Sequence, residues 1–129
     1  MAQRLARNSW NGASRFSPLD EALEAARAKK ALEIVLLDLH EVATFTDHFL
    51  ICSGASGRQV QGIADEVARR LGVAGLRPAH IEGYNHAEWV LMDYADFVVH
   101  IFSERARAFY DLERLWRTAR RVPVAGSDE

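Results

Sequence analysis

Between Pro78 and Glu104 the chain has no lysine and no arginine, yet it carries Glu82, Glu88, Asp93, Asp96 and Glu104 there. Phosphate binding needs clustered cations, so this stretch fits nucleic acid poorly. Cysteine is scarce as well. Cys52 stands alone and cannot form an internal disulfide, which suits a reducing compartment. No apolar run approaches the length of a membrane span. The histidines, His40, His48, His80, His86 and His100, include no pair at i, i+3 or i+4, which argues against a structural zinc site. The turn Ser53–Gln59, SGASGRQ, lacks the Lys-Ser/Thr ending of a phosphate loop. No nucleophile motif occurs. These gaps lead us to expect no catalytic residue, no metal and no cofactor.

What is present is one domain's worth of ordinary globular chain: 129 residues, 49% hydrophobic and 26% charged. The net charge of −2 hides an uneven distribution. Residues 1–17 hold Arg4, Arg7 and Arg15 and no acid, which leaves 13 of the 16 basic residues against all 18 acidic ones in the remainder. Residues 1–16 read as a flexible basic arm rather than an organelle transit peptide, because they lack a clear amphipathic run. Residues 17–121 read as the domain and 122–129 as a tail.

The domain begins with a helix. Ser17 is placed to cap it, Pro18 suits its first turn, and Leu19, Ala22, Leu23 and Ala26 recur at helical spacing. EIVLLDL (Glu33–Leu39) and FLICS (Phe49–Ser53) are short, apolar and β-prone. Ser56 with Gln59 forms a capping box for a helix striped by Val60, Ile63, Ala64, Val67, Ala68 and Leu71. Ala79–Glu82, Glu88–Tyr94 and Phe97–Phe102 then read as three successive strands. Ser103 opens a final helix, with Phe109, Leu112, Trp116 and Ala119 as its apolar stripe and Pro123 beyond its end. The order implies an α/β (α+β) domain with a mixed, mostly five-stranded sheet and flanking helices.

Several features admit two readings. The turn at Ser56 is either an anion cradle or a well-capped helix start; the second is favoured. Asp93 and Asp96 are either a Mg²⁺ pair or turn residues. His100, within an apolar strand, fits a buried, hydrogen-bonded side chain. Trp89 is either a core residue or an interface anchor. Along its strand Trp89, Leu91 and Asp93 point one way and Val90, Met92 and Tyr94 the other. The arginines of the last helix form a solvated face, or they contact RNA or an acidic surface.

DHFLICSGASGRQVQGIADEV and RPAHIEGYNHAEWVLMDYADFVVHIFSERARAFYDLERLW together resemble the ribosomal silencing factor family, also called Iojap-like or RsfS. The CSG-x-S-x-RQV block, the HIEG turn, the EWVL-x-DY and VVHIF strands and the FYDLE-x-LW helix occur in order over about residues 19–119. The resemblance implies a nucleotidyltransferase-like shape without catalysis. It implies binding to the large ribosomal subunit through a basic ribosomal protein, the fourteenth of the L series. Docking there blocks subunit joining and represses translation, and a role in large-subunit biogenesis goes with it. A homodimer and contact with ribosomal RNA are compatible, a membrane role is not, and the implied location is the bacterial cytoplasm. The partner surface carried over is Trp89, Leu91, Asp93, Tyr94 and Asp96, with Glu82 and Tyr84 at its rim. Ser56, Arg58, Gln59, His100, Glu104, Arg107 and Tyr110 also match motif positions and are read first as structural or dimer residues. The chain departs from the family pattern at Ala55, Ala95 and Ser103. Ala95 stands where Gly is usual, and Ala there costs about 1 kcal/mol if the backbone needs positive φ. The alternative function is a nucleotidyltransferase-like nucleotide-binding enzyme.

Overall fold

The computed structural model describes residues 17–124. The basic arm expected over residues 1–16 and the tail beyond Val124 lie outside them. The elements run α1 (Pro18–Ala28), β1 (Leu32–Asp38), β2 (His48–Gly54), α2 (Gly57–Val73), β3 (His80–Glu82), β4 (Trp89–Asp93), β5 (Phe97–Ser103), α3 (Glu104–Tyr110), α4 (Leu112–Leu115) and β6 (Arg120–Val122).

Both long helices start as their sequences dictate. The Ser17 hydroxyl accepts from the Asp20 N–H, with Pro18 in the first turn. The Ser56 hydroxyl accepts from the Gln59 N–H at 3.1 Å. Gln59 in turn accepts from the Ala55 N–H and donates to the carbonyls of Lys29 and Lys30, which ties the start of α2 to the end of α1. The Ser56 hydroxyl, the Gln59 side chain and the Ala55 N–H are thus occupied within the fold, as a capped helix start requires.

The sheet is six-stranded, in the order β3-β4-β5-β2-β1-β6. The central pair β2–β5 is parallel and every other pairing is antiparallel. The two central strands are buried almost throughout because both of their faces are covered. The edge strands β3 and β6 are only three residues each and mostly exposed, a length that limits pairing with other chains.

One face carries Leu36, Leu50, Cys52, Val90, Met92, Val99 and Ile101 and packs under α1 and α2. Small side chains at Ala22, Ala25 and Ala26 let α1 lie close, while Val60, Ile63, Val67 and Leu71 fill the layer. Each large aliphatic side chain here contributes about 1.5–3 kcal/mol through burial. The opposite face carries Val35, Leu37, Phe49, Ile51, Val98 and Phe102, with Ala106 and Leu112 from the C-terminal segment against them.

The single final helix expected from the sequence is instead two short helices, a turn and a strand. Asp111 takes left-handed angles (φ 50, ψ 50) and ends α3 after seven residues; α4 has four. The break serves Arg107. Its guanidinium is buried, donates to the Ser53 hydroxyl at 2.8 Å and is gripped by both carboxylate oxygens of Glu113. Six positions along a straight helix leave two side chains about 120° apart around its axis, so that grip needs the kink. Phe109, expected in the apolar stripe, is 77% exposed. The chain after α4 turns back and adds β6 to the free edge of β1, with Arg120 paired to Asp38 at 2.8 Å. That is why the sheet has six strands rather than mostly five.

Candidate functional site

The face bearing Phe102 is only partly covered, and the uncovered part lies over β4. Strand alternation places Trp89, Leu91 and Asp93 on this side, half-buried, opposite Phe102, His100 and Val98 of β5. Trp89 packs on Phe102 and on Tyr110, with ring centroids 4.9 Å apart in each case. Its indole N–H donates to Nδ1 of His100 at 3.1 Å. Phe49 meets the His100 ring edge-on at 4.4 Å. Burial pushes His100 down from 6.5 to about 3, so the imidazole is neutral at ordinary pH and able to accept from Trp89. The indole is thereby fixed in orientation while one side stays open.

Around this floor stand exposed apolar groups that sequence periodicity does not reveal. Phe109 meets Tyr110 at 5.0 Å, and Leu115 is 73% exposed. Phe45, 60% exposed, packs edge-on against Trp116. Phe109 and Leu115 lie on the two pieces of the broken last helix, and Phe45 on the connection between β1 and β2.

The expected partner residues do not all share one surface. Trp89, Leu91 and Asp93 lie together, with Glu82 paired to Leu91 across β3–β4. Asp96 lies exposed in the β4–β5 turn beside them. Tyr94 is a correction: the same alternation turns it to the helix-covered side, where it stacks on Phe97 at 5.2 Å and is 9% exposed. Burial raises its hydroxyl to about 12. Tyr84 also leaves the site. It packs toward α2, its hydroxyl donates to Asp65 at 2.9 Å, and its carbonyl accepts from Gln61.

The acids are less freely displayed than their number suggests. Glu88 accepts from the Ser103 hydroxyl at 2.7 Å and pairs with Arg105 at 3.3 Å; the Ser103 bond is the main reason its carboxyl lies below the ordinary range. Glu82 pairs with His80. Asp93 accepts from the Ala95 N–H at 2.8 Å, which supports the turn where Ala95 sits at φ 74. Asp93 and Asp96 flank that turn, and among the described residues they form no metal-ligand group with a third carboxylate. Positive φ at Ala95 is the condition under which alanine costs stability there.

A polar cluster missed by spacing lies on β1 and β2, next to the β4–β5 turn, whose Asp96 carbonyl accepts from the Asp47 N–H at 2.9 Å. Asp38 and His48 face each other across β1–β2, and His40 folds back onto Asp38 at 2.7 Å. The His40 backbone N–H, its ring and Arg120 together hold Asp38 far below the usual carboxylate range. Burial lowers His48. Two antiparallel strands were the only available signal, because the histidines are eight positions apart.

The family model described as ribosomal silencing factor during starvation matches residues 14–129. The chain belongs to the ribosomal silencing factor family. The Ribosomal silencing factor RsfS of Halalkalibacterium halodurans is 42% identical over 108 residues, covering 84% of this chain and 92% of that protein. The RsfS of Bacillus subtilis is 40% identical over 112 residues, covering 87% and 92%. A crystal structure of a Chromobacterium violaceum protein superposes with a TM-score of 0.76 at 32% identity, covering 85% of this chain and 91% of that one. More distantly, the mouse protein named Mitochondrial assembly of ribosomal large subunit protein 1 is 26% identical over 101 residues, covering 76% of this chain and 44% of its own length. The α+β architecture with a mixed sheet is therefore that of ribosomal silencing factors. No helix among the described residues is long and apolar enough to cross a membrane.

Proposed function

We propose that this chain silences ribosomes by occupying space rather than by bond chemistry. It acts in the bacterial cytoplasm, and its partner is the large ribosomal subunit, reached through a basic ribosomal protein, the fourteenth of the L series. Bound there, it fills the volume that the incoming small subunit must enter. The observation that carries the reading is the half-open Trp89–Leu91–Asp93 strip, an apolar centre with Glu82 and Asp96 at its margin. Large aromatic groups anchor protein interfaces, and marginal carboxylates steer a cationic partner. The name of the mouse relative supports the large subunit as the target.

The test is co-sedimentation of the protein with isolated large and small subunits, followed by a subunit-joining assay. Binding to the large subunit and inhibition of joining are expected. Leu91→Lys should weaken both while circular dichroism stays unchanged. A Leu91→Lys protein that blocks joining as well as the parent would remove this strip from the mechanism. Binding to small subunits alone would remove the mechanism itself.

A further inference from the structure

The β1–β2 end of the sheet gathers ligand chemistry that ribosome docking does not use. Among the described residues, Asp38, His40 and His48 each bring a donor atom within 4.8 Å of the other two. Donors around a tetrahedral ion with bonds near 2.0–2.1 Å lie about 3.3 Å apart, within about 1.5 Å of the widest spacing found. We propose that these three side chains bind a divalent transition ion of the Zn²⁺ type.

The surroundings match what such a site requires beyond its ligands. His40 turns Nδ1 toward Asp38 and Nε2 toward Asp47, whose carboxylate is 3.4 Å away. The ring thus bridges two carboxylates, and an ion would displace the proton between Nδ1 and Asp38 while Asp47 keeps its hold on Nε2, the outer arrangement common around metal-bound histidine. Asp38 is likewise held from outside: Oδ1 accepts from the His40 backbone N–H and Oδ2 from Arg120. Binding replaces the direct His40–Asp38 contact with two bonds to the ion and keeps the Arg120 pair. Arg120 opposes the ion's charge, so the affinity is moderate.

Two imidazoles and one carboxylate suit Zn²⁺ or Co²⁺ and not Mg²⁺, which favours oxygen donors. The His40 side chain is 54% exposed, so an ion has an entry path and a coordination position open to water. The two strands and the connection between them would be pinned at one point, and through Arg120 so would β6.

The full chain, freed of metal with a chelator, should be titrated with Zn²⁺ by calorimetry and with Co²⁺ by visible absorption. One ion per chain and the absorption bands of a four- or five-coordinate nitrogen–oxygen Co²⁺ site are expected, with no response to Mg²⁺. Exposed His40 can be changed without unfolding, so His40→Ala is the decisive variant, and circular dichroism checks His48→Gln. Each should weaken Zn²⁺ more than the roughly 10–100-fold that loss of an outer partner costs, and Asp47→Asn should fall within that range. His86→Ala, in an exposed turn far along the chain, should bind as the parent does. Absence of saturable Zn²⁺ binding overturns the proposal. So does unchanged affinity in His40→Ala, equal loss in His86→Ala, or a Mg²⁺ response as strong as that to Zn²⁺.

Discussion

The two faces of the sheet are built from the same alternating strands, yet one is closed and the other is not. The face under α1 and α2 is sealed: Val60, Ile63, Val67 and Leu71 reach zero exposure. The face under α3 and α4 is covered by two short helices, and Trp89 and Leu91 remain half-open. The long helices can be sealed because seventeen residues of α2 run across the strands in one piece. The short ones leave a gap because Asp111 bends the chain away. The difference teaches that this fold concentrates its tight packing on one side and leaves on the other the open surface that the proposed docking needs.

That contrast can be broken at either face. Ile63→Ala should cost about 2–5 kcal/mol in a urea melt, the range for emptying a packed aliphatic site, while folded protein still binds large subunits. A loss of binding without loss of stability would contradict the division. Leu91→Ala should do the reverse, weakening subunit binding by about 2 kcal/mol, roughly thirtyfold, as for an interface anchor. Its melt should move much less than that of Ile63→Ala.

Acid tests the floor of the open face. His100 has a folded value near 3 against 6.5 unfolded, so the unfolded chain binds the extra proton between those limits. The contribution of the neutral imidazole is complete above pH 6.5 and is lost as pH falls toward 3. By about pH 5.5 the loss should be on the order of 1 kcal/mol, and His100→Gln should flatten that slope in urea melts at stepped pH. An unchanged slope would place the titration elsewhere. The smallest effect belongs to the turn between β4 and β5. Ala95→Gly should stabilise by up to about 1 kcal/mol, because glycine takes φ 74 without strain. A destabilised Ala95→Gly protein would mean that the methyl group packs usefully.

Much of this was legible in the sequence, for local reasons. Ser17-Pro18 and Ser56 with Gln59 are short-range capping signals, and the structure makes the bonds they announce. The alternation in Glu88–Tyr94 correctly separated Trp89, Leu91 and Asp93 from Val90, Met92 and Tyr94. The error was to count Tyr94 in the partner surface despite that alternation. The C-terminal segment was misread because a helical stripe through Phe109, Leu112 and Trp116 is locally valid. What overrides it is the distant demand of Ser53 for Arg107, 54 positions away. Tyr84 and the Asp38–His40–His48 cluster failed for the same reason, since both depend on which strand or helix lies across from them.

The parallel pairing of β2 with β5 has a consequence for how the chain is made. The segments that form the centre of the sheet are separated by α2, β3 and β4, so the middle seam closes only after Phe97–Ser103 has been synthesised. Long loop closure of this kind is slow, and until it happens β2 presents a bare hydrophobic edge. A nascent chain halted before Phe97 therefore has no finished interior, and pulse proteolysis of such truncations should find them digested where the completed domain survives.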